Sequence, residues 1–205
     1  MANSQTAILN KALTLVGAAP VVSITDGTPN ANILSNVYEI ALQSILSECK
    51  WNFATKRVNL AVSATQPAWL NLGEVAVYAL PTDVIRIYGT NPQTANWREE
   101  GGLIISDTVG LGILYVYYDE NPGDYPSYFL DAFIDKLCAD IAYQVINSAQ
   151  IAEKFTEKYE GMSLPKAMSS NSQTGIQQIP NDDYWVLAKF GNGCDGQDNF
   201  GAVAV

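Results

Sequence analysis

The chain has 205 residues, 48% of them hydrophobic and 16% charged, with 21 acidic residues against 11 basic ones and a net charge of −10. That length holds one compact domain, or a small domain carrying an insertion. The acidic balance argues against binding nucleic acid through its phosphates and against docking on an anionic membrane, because the cations are scattered and only Lys50, Lys56 and Arg57 come near to a cluster.

Residues 4 to 17 carry the first helical pattern. Ser4 can cap it, Ile8, Ala12, Leu15 and Val16 share a face, and Gly17 supplies a stop. Ala18 to Pro29 is a connector of turn residues, broken most strongly at Asp26-Gly27-Thr28-Pro29. The spacing then predicts a helix from about Ala31 to Lys50, capped by Asn30, with Leu34, Val37, Ala41 and Ile45 as its apolar stripe.

From Trp51 the period falls from 3.6 towards 2. Trp51 to Thr55 and Val58 to Val62 alternate as strands do. After a loop containing Pro67, short strands are expected at Val75 to Leu80, Val84 to Tyr88, Leu103 to Ile105 and Ile113 to Tyr118. Glycines 101, 102, 110 and 112 punctuate them as turns, so residues 51 to 118 predict a small antiparallel sheet of four or five strands.

Helix returns after Asn121-Pro122-Gly123-Asp124-Tyr125-Pro126, with Ser127 as cap. Phe129, Phe133, Leu137, Ile141 and Val145 recur every fourth residue beside Leu130, Ile134, Cys138 and Ala142. A face so broad predicts a central core helix. Another helix is expected from about Ala149 to Met162, with Glu153, Lys154, Glu157 and Lys158 on its solvated side. From Ser169 the composition turns to that of a flexible linker.

The layout is α+β. Helices at 1–50 and 119–168 form a bundle, a small sheet at 51–118 is inserted between them, and 169–205 is an extended C-terminal tail. Within that tail Tyr184, Trp185, Leu187 and Phe190 form an apolar group with no core of its own. They are the candidate protein-interface residues, expected either to fold back on the domain or to dock on a neighbour.

No apolar run reaches the roughly 18 residues of a membrane span. Met1 to Thr6 lacks the pattern of a signal peptide, which predicts a chain made and kept in a cytoplasm. Cys49, Cys138 and Cys194 are far apart and read as reduced thiols, not as a disulfide frame or a zinc site.

The sequence contains no histidine. Ser-His-Asp and Cys-His arrangements and zincin motifs are thereby ruled out, and no phosphate-cradling P-loop or dinucleotide fingerprint is present. Carboxylates remain. Glu99-Glu100, Asp119-Glu120 and Asp182-Asp183 are adjacent in sequence, so on a strand the two members of a pair would face opposite sides. Asp131, Asp135 and Asp140 read as a solvated helix face, and Asp195 to Asn199 lacks the spacing of a calcium loop. The chain is therefore expected to be a binding or structural protein with no catalytic residues, metal or cofactor. Exposed tryptophans and tyrosines beside carboxylates leave open a carbohydrate-binding module or receptor-contact tail protein. A carboxylate-based hydrolase ranks last, since it needs two carboxylates converging in a cleft.

Four stretches, in order, resemble the tail tubular protein A, or head-to-tail adaptor, family of short-tailed bacteriophages. They are the opening helix and connector from Leu9 to Val21, the long helix from Asn30 that ends at Lys50-Trp51-Asn52-Phe53, the strand region Tyr78 to Tyr88, and Tyr118 to Pro126 opening the helix of Phe129 to Val145. The resemblance covers about residues 5 to 165. It implies a virion protein of the phage neck, one subunit of a dodecameric ring docked beneath the portal protein and carrying the tail nozzle. DNA would pass through the ring without specific binding, since acidic groups lining the channel would repel its phosphates. The family offers no catalytic residues to transfer.

Overall fold

The computed structural model describes residues 4–174. Helix α1 (Gln5–Val16) begins where the Ser4 hydroxyl accepts the Ala7 amide, and it ends at Gly17, whose φ of +83° puts it in the left-handed region that suits glycine. Its buried face is Ile8, Leu9, Ala12, Leu13 and Val16. Leu15, expected on that face, is 42% exposed and lies to one side of it. Asn10 ties the connector to α1, because its side chain both donates to the Val21 carbonyl and accepts the Val21 amide, each at 2.8 Å.

Helix α2 spans Pro29–Glu48 and is capped by Thr28, whose hydroxyl accepts the Ala31 amide, and not by the expected Asn30. Pro29 explains the difference. It cannot donate an amide and its φ is already helical, so it fits the first turn of a helix whose cap is the residue before it. The helix stops two residues before Lys50 because Trp51 folds back beneath it. The Trp51 indole is fully buried and donates at 2.8 Å to the carbonyl of Ile45, one of the last-turn acceptors that lack a helical partner. Residues 51–54 are consequently a turn and not the beginning of a strand.

The expected single sheet is two antiparallel sheets of three strands. In the first, β6 (Gly112–Tyr117) lies between β1 (Thr55–Asn59) and β3 (Val84–Asn91), with Thr55 opposite Val116 and Val84 opposite Tyr117. In the second, β5 (Leu103–Ser106) lies between β2 (Ala76–Ala79) and β4 (Trp97–Glu100). The sequence pattern did not reveal β4, because this edge strand is exposed along its whole length and shows no alternation. Gly101 and Gly102, both at positive φ, make the tight β4–β5 turn. The alternation along β6 supplies two cores. Val116 joins the helical core, while Ile113 and Tyr115 pack with Leu60, Tyr78, Ile104 and Leu111 towards the second sheet.

Helix α3 (Ser127–Ile146) is the centre of the bundle, packed by α1, α2 and the helices that follow it. Pro126 holds its cap position with no side-chain hydrogen bond, and Ser127 is its first residue instead of its cap. Phe129 stacks edge-on against Trp51, Phe53 and Tyr125, with ring centroids 4.8–5.3 Å apart, and so cements the junction of helices and sheet.

Helix α4 (Ala149–Lys158) runs through a π-helical turn (Tyr159–Ser163) into α5 (Leu164–Gln173). Pro165 accounts for the turn, since a proline within a regular helix lacks one amide and crowds the carbonyl four residues back. The expected linker from Ser169 is, as far as Gln173, helix. Asn171 holds it there, only 6% exposed. Its side chain donates to the Lys50 carbonyl at 2.7 Å and accepts the Asn52 amide at 2.9 Å, and the Asn52 side chain donates in turn to the Asn171 carbonyl at 2.8 Å. A polar residue in a serine-rich stretch thereby fastens α5 to the helix–sheet junction.

Candidate interaction surface

The interface residues expected from the sequence, Tyr184, Trp185, Leu187 and Phe190, lie outside the described residues, as do Asp182-Asp183, Asp195 to Asn199 and Cys194. Of the remaining expectations, Asp135 is corrected. It is not part of a solvated face but is 4% exposed, and its carboxylate accepts from Lys158 Nζ at 2.8 Å and from the Ser163 hydroxyl. Burying a charge requires such partners, so Asp135 binds α3 to the end of α4 and the π turn. Asp131 is exposed, and Asp140 pairs with Lys136 at 3.2 Å. Asp119 is also buried, accepting the Asn121 amide and the Tyr117 hydroxyl in the turn after β6.

The tryptophans separate sharply. Trp51 is core, whereas Trp69 is 70% exposed. Trp69 shares the loop from β1 to β2 with Leu70, Leu72 and Val75, all exposed. Trp97 on β4 is also exposed, and Leu72 and Trp97 line one cleft of about 290 Å³ with Glu74, Asn96, Arg98 and Asp107. Apolar groups gathered in one exposed place mark interaction sites, unlike single exposed leucines.

The loop holds these side chains outward by specific bonds. Asn71 to Glu74 is a tight turn in which the Glu74 amide donates to the Asn71 carbonyl at 3.1 Å and Gly73 sits at φ +95°, as the third residue of a type II turn requires. The Glu74 carboxylate accepts the Asn71 amide at 2.6 Å and Arg98 Nε at 2.9 Å, and Arg98 reaches Glu100 at 3.1 Å. The Asn71 amide, then the Asn71 side chain and the Arg98 charge, hold the Glu74 carboxyl below the usual range. Asp107 is held low as well, by the Thr108 hydroxyl and Asn96. With Glu100 joined to Arg98, the surface is an apolar knob in an acidic setting. Sequence reasoning passed over it as a loop containing Pro67, although the run Pro67-Ala68-Trp69-Leu70-Asn71-Leu72 has more apolar groups than a solvated loop needs.

Among the described residues, no group of three or more Cys, Asp or Glu side chains is placed to hold a metal ion, and no helix is long and apolar enough to cross a membrane. A scan against protein-family models finds no family that matches this chain, and a search of curated proteins finds no match either.

Proposed function

We propose that this chain is a structural subunit and not an enzyme: a head-to-tail adaptor of a short-tailed bacteriophage, assembled as a ring between portal protein and tail nozzle. The observation that carries the binding role is the run of exposed apolar side chains Trp69, Leu70, Leu72 and Val75 on one loop, whose tip is held by the Asn71–Glu74 turn and Arg98 and where Leu72 shares a cleft with Trp97. Apolar surface left exposed gains nothing on folding, and such surface is buried favourably when a partner covers it. The position in a virion rests on the order of the four sequence stretches and fits the α+β layout of a bundle with inserted sheets. Electron microscopy of the purified chain mixed with the portal protein of the same phage tests the reading. A ring of this chain seated on the portal is expected, and two species that never associate would refute it.

One observation favours a second reading, a carbohydrate-binding module or receptor-contact tail protein. The cleft beside Trp97 combines an aromatic face with Glu74, Asn96, Arg98 and Asp107, a mixture able to stack on and hydrogen-bond a sugar. Millimolar binding of soluble glycans that is lost in Trp97→Ala would favour it, and no binding across a broad glycan panel would dismiss it.

A further inference from the structure

A second surface complements the knob. A cleft of about 320 Å³ opens between α1, α3 and the π turn, with Leu15, Ile134 and Met162 as its apolar lining and Lys11, Lys158 and Lys166 lining it as well. Leu15 and Met162 are 42% and 64% exposed, so part of this lining faces solvent. Three of the chain's 11 cations thus meet at one place on a protein of net charge −10. Among the described residues, Asp131 and Asp135 are the carboxylates lining the cleft, and Asp135 is already matched by Lys158. The surroundings are therefore net basic. The knob has the opposite character, since Glu74, Glu100 and Asp107 outnumber Arg98.

The two surfaces belong to different parts of the fold. The knob stands on the second sheet and the smaller core, and the cleft is built entirely from helices of the bundle. A protruding patch that matches a recess elsewhere on the same molecule produces heterologous, head-to-tail association, which closes into a ring when the rotation permits. Opposite charge around apolar centres sets partner and orientation.

We propose that the loop bearing Trp69 and Leu72 of one chain seats in the Leu15–Ile134–Met162 cleft of a second copy, with Glu100, on the Glu74 side of β4, facing Lys11 and Lys166. This rests on the ring-subunit reading and names its interface. Every chain then offers one knob and one cleft.

Complementation tests it. A knob variant, Trp69→Ala/Leu72→Ala, and a cleft variant, Lys11→Glu/Lys166→Glu, change exposed side chains only, and thermal melts establish that each is folded. Sedimentation velocity should show large closed species for the full-length wild-type chain. Each variant alone should associate at least about 30-fold more weakly, the effect expected for a hot-spot side chain. An equimolar mixture of the two variants should stop at dimers, because one intact knob still meets one intact cleft. A third chain, Glu100→Lys, should pair with the cleft variant better than with wild type. If wild type forms rings and both variants form them equally well, the interface is elsewhere and the ring reading survives. If the variants lose rings but their mixture stays monomeric, the two surfaces do not meet each other. A wild-type chain that remains monomeric up to a concentration on the order of 1 mM overturns both the interface and the self-assembling ring.

Discussion

Replacing Asn171 with alanine should cost more than any other single change in the serine-rich stretch from Ser169 to Thr174. The side chain makes two good hydrogen bonds across the fold, to the Lys50 carbonyl at 2.7 Å and from the Asn52 amide at 2.9 Å. Each such bond is worth about 1 kcal/mol net, and the groups left behind are partly accessible to water, so the loss is roughly 2 kcal/mol. For a protein of this size 1 kcal/mol shifts Tm by about 2–4 °C, which gives a fall of roughly 4–8 °C. Differential scanning calorimetry measures it, with Ser169→Ala as the control: Ser169 is exposed in the same helix and its replacement should stay within about 0.5 kcal/mol of wild type. Equal melting of Asn171→Ala and Ser169→Ala would refute the reasoning and return residues 169–173 to the linker their composition suggests.

Thr28→Ala should destabilise by about 1 kcal/mol through loss of the α2 cap, and Asn30→Ala by less than about 0.5 kcal/mol; the reverse order in urea denaturation would make Asn30 the cap. Asp26, Glu74 and Asp107 all have pKa values lowered on folding, Asp26 chiefly by the Thr28 hydroxyl. Lowered carboxyl pKa values contribute stability that is complete above the unfolded-state values of 3.8 and 4.5 and is lost as pH falls through the folded-state ones. Tm should therefore fall below about pH 4.5, and less steeply in Asp26→Asn/Asp107→Asn; an unchanged slope in that variant counts against the linkage. Burial pushes the Cys138 thiol up to about 12 and the Cys49 thiol up to about 11. In a Cys194→Ser background neither should react with Ellman's reagent at pH 8 until denaturant is added, and labelling at the rate of free cysteine would show that the thiols are not protected.

The helices could be read from the sequence because their apolar period is strong. Phe129, Phe133, Leu137 and Ile141 mark the central helix without any knowledge of its neighbours, and all four are buried. Where the reading failed, tertiary contacts outweighed local pattern. Trp51 to Thr55 alternates as a strand does, yet the Trp51 indole is drawn to a carbonyl at the end of α2, and the chain must turn to reach it. Ser169 to Gln173 has the composition of a linker, and Asn171 gives it a place through partners about 120 residues earlier in the chain. Thr28 and Asn30 are both good caps, and only the restricted geometry of Pro29 decides between them. Asp135 shows the limit for charges. Its spacing beside Phe133 and Ile134 does not say whether a cation will meet it inside the fold, and the Lys158 that does so was expected on the solvated side of its helix.

The β1–β2 connection carries the argument for function furthest. Residues 60–75 join two short strands of different sheets, well beyond the roughly 4–6 residues typical of such connections. The first part is accounted for by structure, since Val62 bridges Tyr78 and the Ser63 amide bonds Val77 beside β2. The second part contributes little to either core, because Trp69, Leu70, Leu72 and Val75 all point away from them. Yet it is fastened by a glycine turn, by a carboxylate that accepts from a backbone amide, and by an arginine from β4. A loop that only needed to cross between sheets would gain nothing from leucine at its tip or from bonds that hold the tip still. Fixing the turn before association lowers the ordering cost that a partner would otherwise have to offset, and pre-ordered apolar anchors are what a tight interface requires. Loosening it with Gly73→Ala, at a φ that alanine adopts only under strain, should therefore weaken self-association while leaving the buried helical core as stable as before.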